Sequence, residues 1–72
     1  MNEFKITTEF ITISQLLKVL DYVTSGGEVK FFLMDNEILL NDQLIFERKK
    51  KIKPGDIVTI NGTRILMTWF KT

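Results

Sequence analysis

Two helix starts in close succession restrict this chain more than any other feature. Thr12-Ile-Ser-Gln15 is a capping-box pattern: the Thr12 hydroxyl can accept from the Gln15 backbone N–H while the Gln15 side chain reaches back to residue 12. Behind it, Ile13, Leu16, Leu17, Leu20 and Val23 recur at helical spacing, which predicts an amphipathic helix over about 13–23. Ser25-Gly-Gly-Glu28 repeats the capping pattern at once. Val29, Phe32 and Leu33 then share one face of a second helix over about 26–35, and Asn36 stands where a left-handed C-terminal cap is wanted. The connection is only about one or two residues on this reading, so the helices must cross as a compact helix–turn–helix pair.

The rest of the chain supplies a sheet for that pair to cover. Glu3–Thr8 alternates loosely and reads as a short first strand over 3–8. After Asn36 the apolar period shortens. Ile38-Leu-Leu40, Asn41-Asp42 and Gln43-Leu-Ile45 predict strand, tight turn and strand. Lys53-Pro54-Gly55-Asp56 is a turn, because proline presets its own φ and glycine takes positive φ without a steric cost. Ile57–Ile60, Asn61-Gly62 and a last strand over 64–70 predict a hairpin. The expected architecture is α+β, two short packed helices on a small, mostly antiparallel sheet. With 72 residues there is room for one domain, spanning 1–72, and no Pro-, Gly- or Ser-rich linker divides it.

Composition removes most chemistry. There is no cysteine and no histidine, hence no disulfide, no thiolate nucleophile and no imidazole for acid–base or metal work at neutral pH. The carboxylates show no spacing that predicts a shared site, and no phosphate-binding loop of the Walker type occurs. The expectation is a protein without catalytic residues, metal, cofactor or small-molecule substrate. Met1–Glu9 mixes charge with single apolar residues, unlike a signal or transit peptide, and no apolar run approaches the ~20 residues of a membrane span. The expected location is cytoplasmic.

Charge is the informative quantity. Residues 1–47 carry three basic and eight acidic side chains, a balance of −5, whereas residues 48–72 carry seven basic ones and only Asp56 as an acid, a balance of +6. Five of those seven, Arg48, Lys49, Lys50, Lys51 and Lys53, lie within six positions. A lysine run can simply guard a sheet edge from aggregation. At this density it also concentrates self-repulsion that a polyanion relieves, and phosphate backbones are the usual polyanion. The Ser25-Gly26-Gly27 turn opens a helix, where free backbone N–H groups favour an anion, although an ordinary cap looks the same. Lys30 points to the flank of the second helix, and Lys18 occupies the corresponding place on the first with a weaker case. Among the aromatic residues, Phe31 and Trp69 are the candidates for exposure and base stacking, since Phe31 falls off the Phe32 face and Trp69 alternates with Phe70. In so small a domain the core is the expected place for most of them, Phe31 and Trp69 included.

The order of these blocks carries more than any one of them. A short helix with Leu16-Leu17-Lys18 precedes Ser25-Gly-Gly-Glu-Val-Lys30, then Ile38-Leu-Leu-Asn-Asp42, Arg48-Lys-Lys-Lys-Ile52 and Pro54-Gly-Asp56-Ile-Val58. That series, over about 11–60, resembles the RNA-binding domain named after ribosomal protein S-four, and is most similar to the stand-alone bacterial YaaA/YbcJ-like proteins. The resemblance implies a helix pair on a small sheet, with an RNA surface built from the second helix and the neighbouring basic loop. Carried to matching positions, it points to Ser25, Gly26, Gly27, Lys30, Arg48, Lys49, Lys50, Lys51 and Lys53, with Lys18 and Phe31 as weaker candidates. It further implies binding of structured, ribosomal RNA or of a ribosomal subunit, in ribosome assembly or maturation, with no membrane partner. Three departures stand out. Gly26 replaces an arginine of many members, which removes one phosphate contact; Asp42, after Asn41 in the strand turn, and Asn36 stand where glycine is usual, both tolerating left-handed geometry. The rival readings are a β-grasp-like protein-interaction module, whose sulfur-carrier type needs a C-terminal Gly-Gly where this sequence ends Trp-Phe-Lys-Thr72, and a peripheral binder of anionic membranes, for which Phe46 and Ile52 make a poor apolar companion to the lysines.

Overall fold

A computed structural model describes residues 2–69. In chain order its elements are β1 (Asn2–Ile6), β2 (Ile11–Thr12), α1 (Ile13–Val19), α2 (Gly26–Asp35), β3 (Ile38–Leu40), β4 (Gln43–Leu44), β5 (Lys51–Ile52), β6 (Ile57–Ile60) and β7 (Thr63–Trp69). Five strands form one sheet in the order β1-β7-β6-β3-β4, and β2 pairs with β5 as a separate two-stranded ribbon. Every pairing is antiparallel except β1 with β7, which is parallel. The α+β class and the mostly antiparallel sheet are those expected.

Turn chemistry sets the register of both hairpins. Asn41 and Asp42 have φ of 50° and 69°, and Asn61 and Gly62 have 48° and 89°. Two consecutive positive φ values match the twist of the flanking strands, and short polar residues or glycine adopt them at least cost. This pins Leu39 opposite Leu44 and Ile60 opposite Thr63. Alternation then sends Ile38, Leu40, Val58, Ile60, Ile65 and Met67 to one face, where Ile13, Leu16, Leu17, Val29 and Leu33 of the helices cover them. Ile52 and Ile6 complete the buried cluster. Ile52, set aside in the sequence as a weak companion of the lysines, is wholly buried and belongs to the core.

The local differences from expectation have identifiable causes. The first helix stops at Val19, not near 23: Leu20 is its C-cap and Asp21 takes a left-handed φ of 63°. The Tyr22 N–H then donates to the Leu17 carbonyl at 2.9 Å and the Asp21 N–H to the Lys18 carbonyl at 3.1 Å, a Schellman closure with aspartate where glycine is usual. Val23 is buried all the same, delivered by the connection rather than by the helix, and that connection is longer than one or two residues. Asn36 is extended, with φ −132° and ψ 153°, because β3 begins two residues later. It caps α2 through its side chain instead: Nδ2 donates to the Phe32 carbonyl at 3.0 Å, and Oδ1 accepts from Asn61 Nδ2 at 2.9 Å. The first strand covers Asn2–Ile6 instead of 3–8, and Phe70, expected to end the last strand, lies outside the described residues.

Candidate nucleic-acid interface

The basic segment is held by its backbone, leaving its side chains outside. Thr12 and Gln15 form the capping box foreseen, with the Gln15 N–H donating to Thr12 Oγ1 at 3.2 Å and the Thr12 N–H to Gln15 Oε1 at 2.9 Å. The other first-turn donors of α1 go to the basic run: the Ile13 N–H to the Lys50 carbonyl at 3.0 Å and the Ser14 N–H to the Arg48 carbonyl at 2.9 Å. These bonds satisfy donors that a helix start otherwise leaves orphaned. Beside them, Thr12 pairs with Lys51 and Ile11 with buried Ile52 in the β2–β5 ribbon. Arg48, Lys49, Lys50, Lys51 and Lys53 are all exposed.

The far end of the segment is closed by Asp56, the one acid in the basic half. Its carboxylate accepts from the Lys53 N–H at 2.8 Å and from Asn41 Nδ2 at 3.1 Å, while Gly55 takes φ 97° in the turn. Asn41 Oδ1 accepts from the Ile57 N–H at 2.9 Å, so the Pro-Gly turn and the β3–β4 turn are joined. The Asp56 carboxylate is thereby occupied in structure. Among the described residues, no ion pair engages Lys30, Arg48, Lys49, Lys50 or Lys53. Lys51 differs: its ammonium lies 4.8 Å from the centre of the Phe10 ring, a cation–π contact on the protein itself.

A groove of about 450 Å³ between α2 and the segment after β4 is lined by Lys30, Leu33, Phe46 and Arg48. It joins two of the sequence-derived candidates from distant parts of the chain, Lys30 and Arg48. A second groove of about 270 Å³, lined by Gln43, Leu44, Ile45, Phe46, Glu47 and Lys50, shares Phe46 as a wall. Phe46 is 63% exposed, whereas on sequence it figures only as a poor apolar companion to the lysines and not as a site residue. A signal existed, an aromatic residue two positions before the basic run, but exposure is decided by packing.

The other candidates fall as follows. Ser25 is the N-cap of α2 by position, yet its side chain makes no cap hydrogen bond; the Thr24 hydroxyl donates to the Glu28 carboxylate instead. A Cβ at Gly26 meets nothing within 4 Å and one at Gly27 only Ser25 Oγ at 4.0 Å, so neither packing nor positive φ demands glycine there. The turn is open, and Glu28 places a negative charge in the same first turn. Lys30 stands one turn further along α2. Lys18, in the last turn of α1, complements that helix's dipole and lines neither groove. Phe31 is 63% exposed and Trp69 47%, not core; Phe10 and Tyr22 are also exposed, while Phe4 and Phe32 pack against the core. Among the described residues no group of three or more carboxylate, histidine or cysteine side chains could hold a metal ion.

Comparison with known proteins places this geometry. A family described as the S4 domain matches residues 4–68, which takes in every described element that builds the grooves. A Bacillus subtilis (strain 168) protein described as a probable ribosome maturation protein, RlbA, is 44% identical over 61 residues, covering 85% of this chain and 86% of the relative. The order of blocks that suggested the family in the sequence is therefore matched along nearly the whole chain, and the chain belongs to the S4 domain family.

Proposed function

We propose that this protein binds structured RNA, ribosomal RNA in particular, without chemistry of its own, and acts in the cytoplasm in ribosome assembly or maturation. The observation that carries the reading is the rigid presentation of exposed cations: α1 and the Asp56 turn hold the backbone of the basic segment at both ends, and Arg48 joins Lys30 of α2 in one groove. A backbone already fixed spares the ordering of the segment itself when its side chains meet phosphates, which then position the protein on the RNA. Family membership and the ribosome maturation name of the relative support the same reading. The site is Arg48, Lys49, Lys50, Lys51 and Lys53 with Lys30, and the open Ser25–Gly27 turn extends it along α2. Base-edge recognition is not required, since structured RNA is read chiefly by shape and backbone.

The test is binding to ribosomal RNA fragments and ribosomal subunits across a salt series. The expected result is preference for one structured fragment, with a log–log salt slope of about −0.7 to −0.9 per phosphate neutralised. Gly27→Glu is expected to weaken that binding, because its carboxylate would add to Glu28 at the start of α2. Absence of binding at low salt, with binding to anionic vesicles in its place, would return the lysines to a membrane role.

A further inference from the structure

Phe46 stands where no need of the fold explains it. Its neighbour Ile45 packs against the core, whereas the Phe46 ring is 63% exposed and forms a wall common to both grooves. On one side it faces Lys30 and Arg48 across the floor made by buried Leu33, and on the other it meets Lys50 and Glu47. An exposed ring costs solvation that a flat apolar partner would recover. The cations beside it specify that the partner is attached to negative charge.

We infer that Phe46 is a stacking platform for one unpaired nucleotide of the bound RNA, seated in the groove between α2 and the basic segment. The inference rests on the RNA-binding reading and adds to it the form of RNA preferred. The α2-side groove, about 450 Å³, lies within the roughly 300–1,000 Å³ of clefts that hold small ligands, and the other, about 270 Å³, falls below it. Charge selects the same side. Glu47 lines only the smaller groove and repels phosphate there, whereas Lys30 and Arg48 flank the larger one with no acid among its lining residues. The base lies on the ring and over Leu33, and its phosphates meet Lys30 and Arg48. Such stacking tolerates any base, because every base has a π-face. It discriminates unpaired from paired nucleotides, because a base held in a duplex cannot reach the ring.

The experiment compares a fully paired RNA duplex with the same duplex carrying a single-nucleotide bulge, each titrated against the wild-type chain, Phe46→Leu and Phe46→Trp. Because residue 46 is exposed, both variants are expected to fold, which circular dichroism and a thermal melt check. The wild type should bind the bulged RNA about tenfold more tightly, a difference of about 1.4 kcal/mol. That preference should collapse in Phe46→Leu and persist in Phe46→Trp. A 5-iodouridine placed at the bulge should photocross-link to Phe46, located by mass spectrometry. A preference retained in Phe46→Leu, equal wild-type binding of the two RNAs, or a cross-link confined to other residues would overturn the stacking role while leaving RNA binding intact. Failure of the wild type to bind either RNA would overturn the RNA reading itself.

Discussion

Asp21 occupies a backbone conformation that disfavours any residue with a Cβ. Its φ of 63° ends α1, and the Schellman hydrogen bonds to Leu17 and Lys18 depend on it. Aspartate tolerates the left-handed region better than most residues, and glycine better still. Asp21→Gly should therefore raise the unfolding free energy by about 0.5–1 kcal/mol, the relief of the Cβ clash exceeding the extra entropy lost by glycine. Urea denaturation checks it: a midpoint unchanged or lowered would mean that the carboxylate makes up the difference. Asn41 and Asp42 show the same economy, taking positive φ in a hairpin turn without glycine, and Asn61 does so beside Gly62. Asn61 does more, since its side chain both accepts from the Glu37 N–H at 3.0 Å and donates to Asn36.

Among the elements, the β2–β5 ribbon with the turn before it separates backbone from side chain most cleanly. Its backbone belongs to the fold, through the Ile13 and Ser14 donors and the Thr12–Lys51 pairing, while its lysine side chains face solvent. Replacing Lys49, Lys50 and Lys51 together by alanine leaves every one of those backbone bonds available. RNA affinity is expected to fall tenfold or more, since screened phosphate contacts contribute roughly 1 kcal/mol or less apiece and three of them together exceed the ~1.4 kcal/mol of a decade. Stability should fall by only about 0.5–1 kcal/mol, the loss of the Lys51–Phe10 cation–π contact. Binding isotherms and a melt on the same preparation separate the two effects. An unchanged dissociation constant in a folded variant would refute the assignment of the basic segment as RNA-binding.

For the whole molecule, one consequence of the architecture is mechanical continuity between the basic segment and the core. Ile52, adjacent to Lys51, is wholly buried, and α1, whose first turn grips the segment, contributes Ile13, Leu16 and Leu17 to the same cluster. Local opening of the segment must break the Ile13 and Ser14 hydrogen bonds. Bound RNA, which holds the segment in place, should then slow exchange of those two amides more than exchange of amides in the β6–β7 hairpin, in the middle of the five-stranded sheet. Hydrogen exchange with and without RNA measures this; equal slowing throughout would indicate global stabilisation instead. A chain of this size buries only about 60% of its unfolded surface, so such couplings pass through few residues.

The local signals in the sequence were sufficient for the helix starts, both two-residue hairpin turns, the Pro-Gly turn and the basic run, because capping, turn φ and charge density each depend on a few adjacent residues. Helix ends were less legible: Asp21 closes α1 without glycine, and Asn36 is extended because Asn61, distant in sequence, supplies its partner. Helix α2 starts where expected, yet Ser25 makes no side-chain cap and the Glu28 carboxylate accepts from the Thr24 hydroxyl, a pairing outside the capping-box pattern. Only tertiary structure decided the parallel pairing of β1 with β7, the burial of Ile52, the exposure of Phe46 and the meeting of Lys30 with Arg48 across one groove. Each of these depends on which distant segments share the core, and burial is a property of that shared packing rather than of any one stretch of chain. The family and its basic segment were thus written in local chemistry, whereas the groove that gives the segment a shape was made by the fold.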